Sequence, residues 1–416
     1  VQQEKGVDLS SLENAKRTKP LAGIRVIEMG QLLAGPFCGR LLAEFGAEVI
    51  KLEPPGKGDP LRVWRGMMEE TNTSLWWYVQ SRNKKSVTIE MNKPGAGEIV
   101  KRLLKDADVL LENFKPGTME KWGLGWEQLH AEFPRLIMTR VSGWGQSGPY
   151  KNNPGYGSIG ESMGGMRYIT GYPDRPPVRI GISIGDSLAG MYAAIGTLTA
   201  VYHRDMHDGQ GQLVDVALNE AVFGLMEGML PEYDWLGLIR ERTGAAMPGI
   251  SPSNTYLCAD GTYIVIAGNG DSIFKRLMRA IGRDDLADSP DFATNNLRVK
   301  RNDELDEAIG AWTARYTFAE VKEAMEKAGV PVGSIYTIAD IAKDPHFQAR
   351  GMIQEAVVPE IDAKIKIPGI VPQLSDTPGT TEWLGPKLGV HNREIYQNLL
   401  GFSEDDLNQM EAEGLI

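Results

Sequence analysis

The sequence predicts an α/β protein: a large open sheet of Rossmann-like type and a smaller α+β domain, joined by long linkers. Three observations carry this expectation. A strand–helix–strand unit spans residues 23–52, strand-like runs alternate with helical segments up to residue 217, and a hairpin with three amphipathic helices occupies 254–328. Parallel strands need helical crossovers, and alternating periods of two and 3.6 are what such a sheet writes into a sequence.

Taken in order, residues 1–20 read as a polar N-terminal extension. Residues 23–29 read as a strand, 30–36 as a loop, 37–45 as a helix and 48–52 as a second strand. Ligands in open α/β sheets bind beyond the carboxyl ends of strands, which directs attention to the loop from Gly30 to Pro36. Further strands are expected at 87–91, 109–112, 136–141 and 213–217, with helices at 94–105 and 219–230. The expected division is a large domain over 21–230, a linker over 231–249 and a small domain over 250–330. Residues 331–416 then form a linker and a return, with 340–416 completing the large domain. In the small domain Asp260-Gly261 supplies the turn of a hairpin over 254–267, followed by helices near 271–282, 303–315 and 318–328. Strands near 353–358 and 363–367 and two short helices, 391–400 and 403–413, end the chain.

One stretch stands apart. Residues 178–184 read as a short strand stopped by Gly185, with Asp186 at the N-cap of a long apolar helix closed by His203 and Arg204. That helix is apolar nearly all round, so burial in the core is expected. Ala189, Gly190, Ala193, Ala194 and Gly196 leave room for a neighbouring backbone. Asp186 reads either as a helix cap or as a carboxylate nucleophile, its anion favoured by the positive end of the helix dipole.

Composition narrows the function classes. Of 416 residues, 42% are hydrophobic and 24% charged, as in ordinary globular proteins. A net charge of −11 disfavours a nucleic-acid partner. Uninterrupted apolar runs fall short of the roughly 20 residues that cross a bilayer, and residues 1–20 lack the apolar core of a secretory signal. Cys38 and Cys258 are far apart, which suggests no disulfide framework, and five scattered histidines give no metal-ligand spacing. A cytoplasmic protein without membrane or metal is expected. A nicotinamide site is the competing reading of the first loop, but Gly30-Gln31-Leu32-Leu33-Ala34-Gly35-Pro36 lacks the G-x-G-x-x-G pattern. Lys51, Arg62, Lys84, Lys85, Lys115 and Lys121 fall near strand ends, and read either as a set converging on an anion or as solvated lysines.

Eight stretches, in order between about Pro20 and the C-terminus, resemble the family III coenzyme A transferases, which include formyl-CoA and carnitine CoA-transferases. They are Gly35-Pro36, residues 46–53 (GAEVIKLE), Asn83-Lys84-Lys85-Ser86, Asn113-Phe114-Lys115-Pro116-Gly117, residues 142–150 (SGWGQSGPY), Gly185-Asp186, residues 209–212 (GQGQ) and residues 388–391 (LGVH). The resemblance implies that Asp186 is the catalytic nucleophile, forming an acyl anhydride and then an aspartyl-CoA thioester. It implies CoA contacts at Leu33, Ala34, Met91, Asn92, Asn113, Phe114, Lys115, Lys121 and Tyr156. Pro54 stands where formyl-CoA transferases carry Arg, with Lys51, Arg62 and Lys57 as candidate replacements. Gly249 belongs to the loop that closes over the nucleophile in that family. Residues 244–250 there lack the family's glycine run, and Leu33 replaces a Gln, which points from formate and oxalate toward dicarboxylates such as succinate, glutarate, malate or a citramalate-like acid.

Arg167, Arg175 and Arg179 read either as partners of a distal carboxylate or as surface arginines. Related acyl-CoA racemases carry a His-Asp pair where this chain has Tyr156-Gly157, so the general base they need is missing. By resemblance the partners are an acyl-CoA and a carboxylic acid, the CoA ester is a substrate with no permanently bound cofactor, and the assembly is a homodimer of interlocked rings. A racemase and a non-catalytic CoA-ester binder are the alternatives.

Overall fold

A computed structural model describes residues 19–207 and 209–416. The expected N-terminal extension therefore lies outside the described residues up to residue 18. The described residues form two compact units, one drawn from 19–164, 182–225 and 349–416, the other from 165–181 and 226–348.

The first unit is built on β1 (Arg25–Glu28), α1 (Ala34–Glu44), β2 (Glu48–Glu53), β3 (Lys84–Thr88), α2 (Ala96–Leu104), β4 (Val109–Glu112) and β5 (Ile137–Ser142). After these come α3 (Gly157–Met163), α4 (Ile184–Met206), β6 (Leu213–Ala217) and α5 (Leu218–Phe223). Six strands pair in the order β3-β2-β1-β4-β5-β6, every ladder parallel. Strands covered on both faces are written as continuous apolar runs rather than alternations. Val26-Ile27, Val49-Ile50 and Val109-Leu110-Leu111 are all fully buried. The order reverses between β1 and β4, so the loops leaving those strands flank the cleft where open sheets bind ligands.

The C-terminal segment covers the β3 edge, which otherwise exposes unpaired backbone groups. Ser86 N donates to His391 Nδ1 at 3.0 Å, His391 N to Ser86 O at 3.1 Å, and Thr88 N to Asn392 Oδ1 at 2.9 Å. Ile395, Tyr396, Leu407 and Ile416 then join the core formed by Ile27, Ile50, Val87 and Leu110.

In the second unit, strands Ser253–Leu257 and Tyr263–Ala267 form the expected hairpin, and Val332–Ser334 pairs antiparallel with the latter. Helices Asp271–Ala280, Asn302–Thr313 and Phe318–Lys327 bury Phe274, Leu277, Leu305, Ile309, Val321 and Met325 in its core. Residues 231–236 of the stretch read as a linker are helical, as part of helix Met229–Leu236.

Several local expectations are corrected. Residues 178–184 form no strand, because among the described residues no sheet edge pairs with their backbone, and α4 begins at Ile184. The helix read over 219–230 ends at Phe223, just before Gly224, and Met229–Leu236 is a separate helix. Nor is α4 buried all round. Its small residues face α1 and the sheet, whereas Met191, Ile195, Leu198 and Tyr202 remain exposed. Its length and apolarity match those of a membrane span, but its packing against α1, β5, β6 and α5 is that of a core helix.

Candidate active site

The loop after β1 rests on buried ions. Lys51 Nζ on β2 donates to Glu28 Oε1 at 3.0 Å and to Gly30 O at 2.7 Å, and pairs with Asp59 Oδ2 at 2.9 Å. Lys84 Nζ on β3 donates to Glu28 Oε2 and to Pro36 O, both at 2.7 Å. Gly39 is required beside this cluster, since a Cβ there would lie 1.9 Å from Glu28 Oε2. Burial works to lower Lys51, but Asp59, Glu28 and Glu53 outweigh it and hold its pKa above the ordinary value. Lys84 is pushed down to about 8 by burial, helped by the neighbouring Lys51 charge and opposed by Glu28. Burial alone would raise Asp59, yet Lys51 and the amides of Leu61 and Leu32 keep it below the usual carboxylate range.

These pairings correct one expectation. Lys51 and Lys84 are 1% exposed, and Arg62 holds Glu53 through two bonds of 2.8 and 2.7 Å while lying 3.7 Å over the Trp77 ring. Lys85 is bound to Glu48 and Glu394. Among these strand-end cations, Lys51, Arg62, Lys84 and Lys85 are consumed inside the protein rather than converging on an anion. Of the candidates for the role of the missing Arg at Pro54, Lys57 alone is exposed.

The same cluster shapes the loop. Asp59 Oδ1 accepts from Leu32 N at 3.0 Å, which fixes Leu32 at φ 61°, a left-handed conformation that leucine seldom adopts. From the loop after β4, Asn113 Oδ1 accepts from Gln31 N at 2.7 Å and Asn113 Nδ2 donates to Gln31 O at 2.9 Å. Gly30 and Gly35 lie against the Asn113 side chain, with Cβ positions 2.9 and 3.2 Å from it. The two loops at the point where strand order reverses are thereby locked to each other.

Asp186 comes to this loop on α4. It is not the N-cap, a place taken by Ser183, but the third helical residue, still within the reach of the helix dipole. Gly190 lets α4 close on α1, since a Cβ there would lie 2.7 Å from Ala34 O. Gly196 likewise clears Val214, so the small residues singled out in the sequence are contact points for neighbouring elements. Gly157, at the start of α3, abuts the carboxylate: a Cβ there would sit 2.1 Å from Asp186 Oδ2.

A cavity of about 210 Å³ results, lined by Gln31, Leu32, Leu33, Ala34, Trp64, Asn113, Phe114, Ser142, Gly143, Tyr156 and Asp186, among others. A second, of about 300 Å³, is lined by Gln31, Pro54, Glu90, Met91, Asn92, Phe114, Thr118 and Trp122, among others. Gln31 and Phe114 line both. Leu33, Ala34, Asn113, Phe114 and Tyr156 are therefore gathered with Asp186, and Pro54, Met91 and Asn92 with Phe114. Lys115 and Lys121 are exposed and line neither cavity, and Arg167, Arg179 and Gly249 belong to the second unit. Sequence reasoning passed over Gln31, Trp64 and Ser142 as site residues. Gln31 was legible as the residue after the glycine that follows the first strand, and Ser142 as the residue after the strand expected at 136–141; Trp64, on no motif, carried no signal. Among the described residues no cluster of His, Cys, Asp and Glu forms a metal site.

A doubly wound sheet with a carboxylate held at the cleft of its switch point defines a ligand-binding α/β protein with a candidate nucleophile. Comparison with known proteins narrows the class. Residues 21–392 match the model of CoA-transferase family III. The chain is 53% identical over 405 residues to succinyl-CoA–D-citramalate CoA-transferase of Chloroflexus aurantiacus, covering 97% of this chain and 100% of that protein. It is 35% identical to succinate–glutarate CoA-transferase of Agrobacterium fabrum, over 92% of this chain and 96% of that one. A crystal structure of a CaiB/BaiF family protein from Brucella suis superposes with a TM-score of 0.81 at 34% identity, over 92% of this chain and 100% of that chain. The chain belongs to CoA-transferase family III, and it is a CoA-transferase.

Proposed function

We propose that this CoA-transferase takes succinyl-CoA as donor and passes CoA to a dicarboxylic acid of the citramalate class, with Asp186 as nucleophile. The likeness to succinyl-CoA–D-citramalate CoA-transferase of Chloroflexus aurantiacus and succinate–glutarate CoA-transferase of Agrobacterium fabrum supports this donor and this class of acceptor. The observation that carries the mechanism is the Asp186 carboxylate lining one cavity with the locked loop after β1 and with Asn113-Phe114.

An Asp186 oxygen attacks the thioester carbonyl, the C–S bond breaks, and CoA thiolate leaves an aspartyl-succinyl anhydride. The thiolate then attacks the aspartyl carbonyl of the anhydride, releasing succinate and leaving aspartyl-CoA. The acceptor carboxylate attacks that thioester, giving a second anhydride and thiolate once more. Attack of the thiolate on the acceptor's acyl carbon yields the new acyl-CoA and frees Asp186. Each step has a modest barrier, which is the gain of covalent catalysis. The CoA arm is assigned to Leu33, Ala34, Pro54, Met91, Asn92, Asn113, Phe114, Lys115, Lys121 and Tyr156, and the acids to Gly249, Arg167 and Arg179 of the second unit. The working form is a homodimer of interlocked rings in the cytoplasm, with no permanently bound cofactor. Racemisation is disfavoured because Tyr156-Gly157 supplies no general base.

The test is incubation with succinyl-CoA, quenching with hydroxylamine or borohydride, and mass mapping, with transfer to citramalate, malate and glutarate assayed in parallel. Modification at Asp186 that disappears in Asp186→Ala supports the reading. An unmodified Asp186 with no transfer to any acid sinks it.

A further inference from the structure

Gln31 stands out from the residues around Asp186. Its peptide is held on both sides, N–H and C=O alike, by the Asn113 side chain at 2.7 and 2.9 Å, and the next residue is fixed in its left-handed turn by Asp59. The backbone therefore positions the side chain without using it. The Gln31 carboxamide makes no hydrogen bond to any described residue, and Gln31 lines both the cavity that holds Asp186 and its neighbour.

That cavity has a chemical peculiarity. Among the described residues that line it there is no lysine, arginine or histidine. A carboxylate brought there needs hydrogen-bond donors in place of the water it loses. Of the other lining side chains, Asn113 spends one amide hydrogen on Gln31 O, the Ser142 hydroxyl accepts from Gly145 N at 3.0 Å and keeps one hydrogen to donate, and Tyr156 is 70% exposed and so poorly preorganised. Gln31 supplies an uncommitted N–H pair on a locked backbone, the arrangement that recognises an anion at least cost in ordering.

We propose that the Gln31 carboxamide recognises the free carboxylate of a dicarboxylyl group carried beside Asp186, and so selects dicarboxylyl over monocarboxylyl thioesters. The proposal rests on the CoA-transfer reading of this cavity. Gln31 is a specificity-determining residue, distinct from the nucleophile.

The test uses Asp186→Ala protein, in which chemistry is blocked, and compares binding of succinyl-CoA and butyryl-CoA before and after adding Gln31→Met. Met keeps the length of the side chain and removes the donors, and the Asn113 clamp grips only the peptide. The expected result is about a tenfold rise in the Kd of succinyl-CoA, the size of one charge-assisted hydrogen bond, with butyryl-CoA changed less than about twofold. Gln31→Glu, which sets a negative charge against the carboxylate, has the same selectivity in the same direction. Equal weakening of both thioesters places Gln31 on the CoA arm and overturns the proposal, as does no weakening of either. Borohydride trapping on the protein with Asp186 intact separates the two levels. A labelled Asp186 with unaltered thioester selectivity sinks the Gln31 assignment alone, whereas an unlabelled Asp186, or Asp186→Ala protein that binds neither thioester, removes the reading beneath it.

Discussion

Replacing Gly157 by alanine puts a methyl group 2.1 Å from Asp186 Oδ2 and 2.6 Å from its Cγ. Ordinary carbon contacts begin near 3.4 Å, so the carboxylate must retreat by roughly 1.3 Å. Position 157 opens α3 and its φ is not left-handed, so the backbone accepts alanine, and helix propensity favours it by up to about 1 kcal/mol. The substitution therefore displaces the nucleophile while sparing the fold. A displacement of about 1 Å at a reacting group costs about 100-fold in rate, the expected fall in kcat for transfer from succinyl-CoA. The assay pairs initial transfer rates with anhydride trapping at Asp186 and with thermal melting. A kcat within threefold of the unaltered enzyme refutes the reasoning. So does a lowered melting temperature with the rate per folded molecule intact, because α3 would then have moved in place of the carboxylate.

Asn113→Ala removes both bonds to the Gln31 peptide, at about 1 kcal/mol each. Steady-state kinetics should show the KM for acyl-CoA rising by up to about 30-fold, the two bonds taken together, and an unchanged KM would show that the loop holds its shape without the clamp. Lys51→Met leaves Glu28 and Asp59 buried with one cation fewer, a loss of about 3–5 kcal/mol in urea denaturation of the first unit; a loss below about 1 kcal/mol would contradict the buried-charge account. The third concerns pH. Burial, chiefly, holds His391 below its ordinary 6.5, with Lys85 adding to this and Glu394 opposing it, while its Nδ1 accepts from Ser86 N. The unfolded chain then binds more protons than the folded one in the window between the depressed folded value and 6.5, so stability present above 6.5 is lost as pH falls through that window. Melting curves between pH 5 and 7.5 should show this slope, and His391→Asn, which retains an acceptor but does not titrate, should flatten it. An unchanged slope would rule His391 out as its source.

By itself the sequence placed the strands of the parallel sheet, a candidate site at the first loop and a candidate nucleophile. Apolar runs such as Val109–Leu111 and turn residues such as Asp260-Gly261 are local signals, because burial on both faces and backbone conformation act within a few residues of chain. The small residues of α4 likewise announced close approach, and Gly190 against Ala34 is that approach. What local pattern left open depends on neighbours distant in sequence. A run such as 178–184 has strand propensity and becomes a strand only if a sheet edge is offered, and among the described residues none pairs with it. Lys51 and Lys84 look like exposed cations until the fold closes them over Glu28 and Asp59, since whether a charge is solvated or paired is a property of its surroundings. The grip of Asn113 on the Gln31 peptide joins residues 82 positions apart, and the contact of Gly157 with Asp186 spans two helices. Only tertiary structure decides such contacts, because a hydrogen bond or a clash is set by ångströms in space and leaves no period in the chain.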